Sequence, residues 1–501
     1  MDLIFYFTIA CFIMLFGSIY SDIDFDFWAR LTVGKSFFQT GQLFNYDFQS
    51  YGTTHEFIDH EWGSSLIFYL IQNYLGDIGL FFFKTILILL TIFIIVRIIK
   101  LEKNYAKMHF LFFFFALQSI SYNIFSTVRC QSFSFLFFVL YLYILKKSKT
   151  NPKILWTIPV INIIWANLHG GFAIGLVLLL LYAFGELLNK EKSKPYFITF
   201  FIACLTTLIN PYGIHYIYFI FKALSLNRIC ITEWHSVFFT PMYKYSFVKF
   251  KIFFILTSIL FIYTILKNLK AFGLIEFYKK IDKTKYLILL FTMIISIKYL
   301  RFHVFFTYCV VALCYNNFYE IFNKKLPEKI DSIKEIILSV LILISMLSHL
   351  YNYKFINTVR EHDYPIYCIE FLRINNLKGN LLTNFHFGSY ASYKLYPNIQ
   401  VFMDGRYEEV YDVNLINKMG ELFLSKNDDL LKKYHTDFII IEKEYDLYDT
   451  LKALPDWFLA YESEKYGLFL SSKLKNTKFI KPTIDQNYYN REKFKTLINW
   501  Q

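Results

Sequence analysis

Two aspartates two positions apart, Asp24 and Asp26, follow directly on an uncharged apolar run from Leu3 to Tyr20. A carboxylate at such a boundary meets substrates at headgroup level, and burial raises its pKa toward that of a general base. The competing reading is an ordinary helical ion pair, since Asp26 and Arg30 stand four apart. Downstream, His60 and Glu61 could join an upstream aspartate around a divalent cation, but two adjacent ligands fit no closed metal site. No metal-ligand set is assigned. Arg129, Arg301 and His303 are cations near helix ends, suited to a phosphate or diphosphate or, alternatively, to snorkelling toward lipid headgroups. His169 precedes two glycines at a tight reversal, where it either caps the turn or touches a substrate. Glu233-Trp234 and Asp404-Gly-Arg406 complete the set, the latter reading equally as a turn with a local ion pair.

The elements that must position these residues follow from composition. Hydrophobic residues make up 56% of the 501 and charged ones 18%, against roughly 45–50% and 25% in a soluble domain. The apolar mass comes in runs of spanning length, so the chain reads as a mainly α, polytopic membrane bundle. The first run lacks a preceding Lys or Arg and a small-x-small site after it, which favours a retained span over a cleaved signal peptide. The net charge of +13 resides largely in short loops between the runs, the positive-inside pattern, so nucleic acid is not implied. Seven cysteines without a CxxC read as packing residues.

Ser21 to Trp62 carries seven acidic residues against Arg30 and Lys35, and faces outward by the same rule. Ser64 to Tyr74 reads as an interfacial helix. Spans are then predicted over Ile78–Ile99, His109–Ser126, Phe133–Leu145, Ile154–Leu168, Phe172–Leu188, Phe197–Ile209, Ile252–Leu266, Tyr286–Tyr299, Val304–Phe318 and Ile336–Leu350, giving with the first run about eleven. A long outer segment separates Gly213 from Phe250. The N-terminus is cytoplasmic on this reading, and residues 1–352 form the membrane domain.

From about Tyr353 the composition turns mixed. Strands are predicted at Gly379–Leu382, Gln400–Met403, Asp437–Ile441 and Tyr466–Leu470, with helices at Ser389–Tyr396, Val413–Leu424 and Tyr448–Leu454. Residues 353–501 therefore read as a small extracytoplasmic α/β domain. With this topology every unusual polar motif lands on one side of the membrane, which points to a single site.

The motif Asp24-x-Asp26-Phe-Trp28, with Leu31-x-x-Gly34, Asp47, His60-Glu61-Trp62, Trp165-Ala-Asn-Leu-His-Gly-Gly171, Asn210-Pro-Tyr-Gly213, Glu233-Trp234 and Val401-Phe-Met-Asp-Gly-Arg406, resembles a group of bacterial membrane proteins related to the GT-C glycosyltransferases. The likeness covers nearly the whole chain; the group carries Trp and His where Ala29 and Arg30 stand here. It implies a bacterial inner-membrane location, an outward active site and a polyprenyl-phosphate sugar donor. Asp24 or Asp26 would be the general base, and in some GT-C members the first-loop acid binds a divalent cation. Trp28, His60, Glu61, Arg129, His169, Glu233, Arg301, His303, Asp404 and Arg406 would contact donor or acceptor, the acceptor being a glycan, lipid or protein. The same cations without a base would instead suit a non-catalytic binder or translocator of lipid-linked glycans.

Overall fold

The computed structural model describes residues 2–19, 25–53, 57–102, 110–125, 128–226, 231–243, 246–322, 337, 340–342, 344, 364–406, 410–424 and 429–482. Asp24 and most of the expected span Ile336–Leu350 lie outside the described residues. The chain is mainly helical with a small C-terminal sheet, and it divides into two compact units.

The first unit comprises Met1–Tyr20, Phe81–Gly213 and Arg228–Phe355. Its helices include α1 (Asp2–Ile19), the second half of α3 (Trp62–Ile99), α4 (Phe110–Ser119), α5 (Ser121–Phe125), α6 (Gln131–Ser148), α7 (Thr157–Leu168), α8 (Phe172–Leu188) and α9 (Lys194–Thr206). It continues with α11 (Val248–Lys280), α12 (Lys283–Lys298) and α13 (His303–Phe322). Among the described residues, Trp62–Ile99 and Val248–Lys280 are the helices long and apolar enough to cross a membrane. The first breaks at Gly76 (φ 61°, ψ −155°), a left-handed position that glycine adopts without the Cβ penalty. That break falls between Ser64–Tyr74 and Ile78–Ile99, the two stretches the sequence separates. Helix α11 runs well past the expected Leu266, through the Lys-bearing stretch to Lys280, because Lys, Leu and Glu all propagate a helix. A second glycine break, at Gly273, interrupts it.

The second unit comprises Ser21–Leu80, Ile214–Asn227 and Ile356–Gln501, so the first loop folds with the tail. Its five-stranded sheet has the order β2-β1-β3-β5-β4, with β1 (Gly379–Thr383), β2 (Ile399–Val401), β3 (Phe438–Glu442), β4 (Trp457–Glu462) and β5 (Tyr466–Ser471). β1 pairs in parallel with β2 and β3, while β5 runs antiparallel to β3 and β4. Central β3 is buried along its full length, as its unbroken Phe-Ile-Ile-Ile run requires. The edge at β2 is covered by the first loop. The Tyr51 and Gly52 N–H groups donate to the Val401 and Phe402 carbonyls (3.0 Å each), and the Val401 N–H donates to Gln49 O (3.1 Å). Covering an edge strand in this way satisfies its backbone and blocks edge-to-edge association.

Among the described residues, several elements of this unit lie outside the expected ones. Strand β4 is half-exposed along most of its length, so it lacks the continuous apolar run that marks β3. A helix, α10 (Ile214–Ser225), occupies part of the expected outer segment, and another, α14, covers Ile366–Ile374. Helix α2 (Phe25–Thr40) packs on α15 (Phe385–Leu395).

Candidate functional site

In the second unit, helix α2 begins with Phe25 and carries Asp26 in its first turn, where the helix dipole favours a carboxylate. Asp26 is exposed, without the burial expected to raise its pKa, and its carboxylate lies over Gly405: a Cβ built on Gly405 would sit 2.7 Å from Oδ1. The first-loop acid and the C-terminal Asp-Gly-Arg turn are therefore neighbours. Two residues on, Trp28 is fully buried. Its indole N–H donates to the Tyr364 hydroxyl (3.3 Å), and its rings meet Tyr390 and Tyr393 of α15. Trp28 thus fixes α2 to the tail instead of facing a ligand.

The Arg30 guanidinium, four positions after Asp26, is paired with Asp59, and with Glu61 at 3.4 Å. The Glu61 N–H also donates to Asp59 (2.9 Å), so the loop before α3 is closed onto α2. His60 approaches the Glu61 carboxylate at 3.9 Å and packs on Phe219 of α10. Both His60 and Glu61 are half-buried.

Arg406 is the hub of a buried charge cluster. Its Nη1 and Nη2 donate to the two Asp47 oxygens at 2.9 and 3.0 Å, and its Nε donates to Asp404 at 2.8 Å. The Ser50 and Thr53 hydroxyls and the Gln49 N–H also donate to Asp47. The Tyr411 hydroxyl donates to Ser50 Oγ (2.9 Å) and accepts the Asp404 N–H (3.2 Å). Burial alone would raise the Asp47 pKa, but the Arg406 charge and these hydrogen bonds hold it below the usual value. Burial would lower Arg406, and Asp404 with Asp47 instead push it well above the usual value. Asp404 is 1% exposed. The turn is a structural clasp between first loop and tail, and the local ion pair expected for Asp404 and Arg406 is one part of it.

In the first unit, Arg129 is ion-paired with Glu233, which stands in a short 3-10 turn, Thr232–Trp234. Arg301 lies over the Trp234 ring at 5.6 Å, and the Gln131 amide, turned so that its oxygen faces the guanidinium, accepts two bonds from Arg301 at 2.8 and 3.1 Å. Burial would raise the Glu233 pKa, but Arg129 and Arg301 pull it below the usual value. Three of the expected residues therefore form one cluster. His303 is fully buried against Phe250, its Nδ1 on the Leu300 carbonyl, out of reach of a surface ligand. His169 is buried too: its Nδ1 accepts the Gly171 N–H (3.0 Å) and contacts Ser134 Oγ (2.7 Å), which in turn accepts the Trp165 indole N–H (2.7 Å). The ring caps the turn between α7 and α8, the first of its two expected roles.

Next to Glu233 opens a cavity of about 640 Å³ lined also by Gln118, Tyr122, Lys249 and Phe250. Gln118 and Lys249 carry no motif, and only their meeting in space marks them. Among the described residues no three His, Cys, Asp or Glu side chains are grouped to hold a metal ion. No family model matches this chain, and no curated protein matches it.

Proposed function

We propose that this protein is a GT-C-like membrane glycosyltransferase, moving a sugar from a polyprenyl-phosphate donor to an extracytoplasmic acceptor with Asp26 as general base. The observation that carries the reading is the setting of Asp26. Of the described carboxylates Asp26, Asp47, Asp59 and Asp404, Asp26 alone is exposed, and the side chains of the other three are buried. Among these four described carboxylates, Asp26 is the one open to a substrate hydroxyl; Asp24 lies outside the described residues. In the step it would catalyse, the acceptor oxygen bonds to the anomeric carbon as Asp26 takes its proton; the bond from that carbon to the phosphate oxygen breaks, and polyprenyl phosphate leaves with the electron pair.

A multi-pass inner-membrane setting, with about eleven spans, a cytoplasmic N-terminus and an extracytoplasmic tail, belongs to this reading. It is supported by helix α11, whose Ile252, Ile255, Leu256, Ile259, Ile262 and Leu266 are all exposed. An apolar face of that length is stable in lipid and a liability in water.

The test is transfer by the purified, detergent-solubilised protein from a panel of polyprenyl-phosphate sugars, comparing wild type with Asp24→Asn and Asp26→Asn. Turnover that Asp26→Asn abolishes while donor still binds supports the reading. Donor binding without turnover across glycan, lipid and protein acceptors would leave a non-catalytic binder or translocator.

A further inference from the structure

The cavity beside Glu233 lies at the ends of α4, α5 and α11, and its volume of about 640 Å³ is within the range of sites that take a small ligand. Two kinds of group line it. Tyr122, Phe247 and Phe250 supply aromatic surface, while Gln118, Glu233 and Lys249 supply charge and hydrogen bonds. Lys249 and Glu233 cancel one another on the wall, and Arg129 and Arg301, drawn to Glu233, leave two positive charges in excess.

The hydrogen bonds are unbalanced in the same sense. Lys249 Nζ donates to Gln118 Oε1 at 2.6 Å. An ammonium only donates, so this bond fixes the amide orientation and makes Nε2 the remaining polar end. Gln118 is 7% exposed, yet Nε2 has no acceptor among the described residues. A buried amide donor without an acceptor is unfavourable, and Nε2 is closed to water, so the cost is that of holding Gln118 beneath Lys249. Lys249 is exposed on the first turn of α11, with further donors to give and the helix dipole behind it.

We propose that this cavity binds a sugar phosphate, with Lys249 Nζ, held in place by Gln118 Oε1, donating to the phosphate oxygens and Glu233 accepting from sugar hydroxyls. The aromatic rings offer the apolar face that a pyranose ring packs on. The inference rests on the donor reading above and places the phosphate contact on Lys249, which Gln118 positions, because Glu233 and Gln131 engage Arg129 and Arg301.

Titration calorimetry on the purified full-length protein tests it, with a short-chain prenyl-phosphate hexose and free hexose 1-phosphate as ligands. Lys249→Gln and Gln118→Leu are each expected to weaken binding by about tenfold or more. Melting temperatures measured alongside separate lost contact from lost fold, and Lys249→Gln, at an exposed residue, should shift the midpoint less than Gln118→Leu. Equal dependence with both ligands makes the phosphate and sugar the recognised unit; dependence with the prenyl ligand alone makes the lipid source the true one; either supports the site. Wild-type binding that neither substitution weakens overturns the cavity and spares the donor reading. A wild type that binds neither ligand overturns both. Binding that needs Lys249 and Gln118 but is never followed by turnover sustains the cavity and removes the transferase.

Discussion

The guanidinium of Arg406 meets the Asp47 carboxylate with two parallel hydrogen bonds of 2.9 and 3.0 Å, across 359 positions of sequence. Asp404 holds the third side of the same guanidinium. The planar fork matches a carboxylate in a way that an ammonium cannot, so the clasp is specific to arginine. It joins the first loop to the sheet edge and sets the Asp404-Gly-Arg turn beneath Asp26.

Removing one member of this cluster should therefore cost much more than a surface ion pair. Arg406→Met leaves two buried carboxylates without their cation, and a loss of roughly 3–5 kcal/mol is expected. Arg406→Lys keeps the charge and loses the fork, so it should also destabilise measurably. Unfolding midpoints of the solubilised protein check both. Midpoints within error of wild type would show that the clasp contributes nothing.

The same cluster predicts a pH dependence with a definite sign. Burial raises the Asp47 pKa, and Arg406 with the surrounding donors outweighs it, so the folded value lies below the ordinary 3.8. A depressed carboxylate gives stability that is fully present above the unfolded pKa and is lost as pH falls through the folded one. The stability gap between wild type and Asp47→Asn should be constant from neutral pH down to about 5 and shrink below about 4. Unfolding curves at pH 7, 5, 4 and 3 decide the matter, and a gap that persists unchanged at pH 3 would contradict the assignment.

These relationships differ in how far the sequence could show them. Helix Val413–Leu424 has the bounds its apolar spacing predicts, and four of the five strands sit within a residue or two of their Gly- and Asp-bounded apolar runs. Such features are local, and local patterns are legible. Arg30 shows the limit: spacing nominates Asp26 alone, and the folded loop brings Asp59 and Glu61 to the same guanidinium. The partner of Arg406 is equally invisible, because no periodicity connects residues 359 apart. Trp28 fits a ligand-binding motif on paper, yet its place against Tyr364, Tyr390 and Tyr393 follows from tertiary packing of α2 on α15. Gln118 and Lys249 belong to no motif and become neighbours only where α4 ends and α11 begins.

Gly405 separates the structural role of the clasp from the chemical role of Asp26. A Cβ at this position would meet Asp26 Oδ1 at 2.7 Å, and the next nearest atom, Ser389 Oγ, lies at an ordinary 3.7 Å. The obstacle is the tip of an exposed side chain, which can rotate aside, so Gly405→Ala should fold with stability within about 1 kcal/mol of wild type. The carboxylate, however, must move. A displacement of about 1 Å at a catalytic base lowers turnover by as much as 100-fold, and kcat should fall while donor affinity holds. Gly405→Ala with wild-type turnover and wild-type stability would mean that the position of Asp26 does not matter to the chemistry, and the base would have to be sought elsewhere in the first loop.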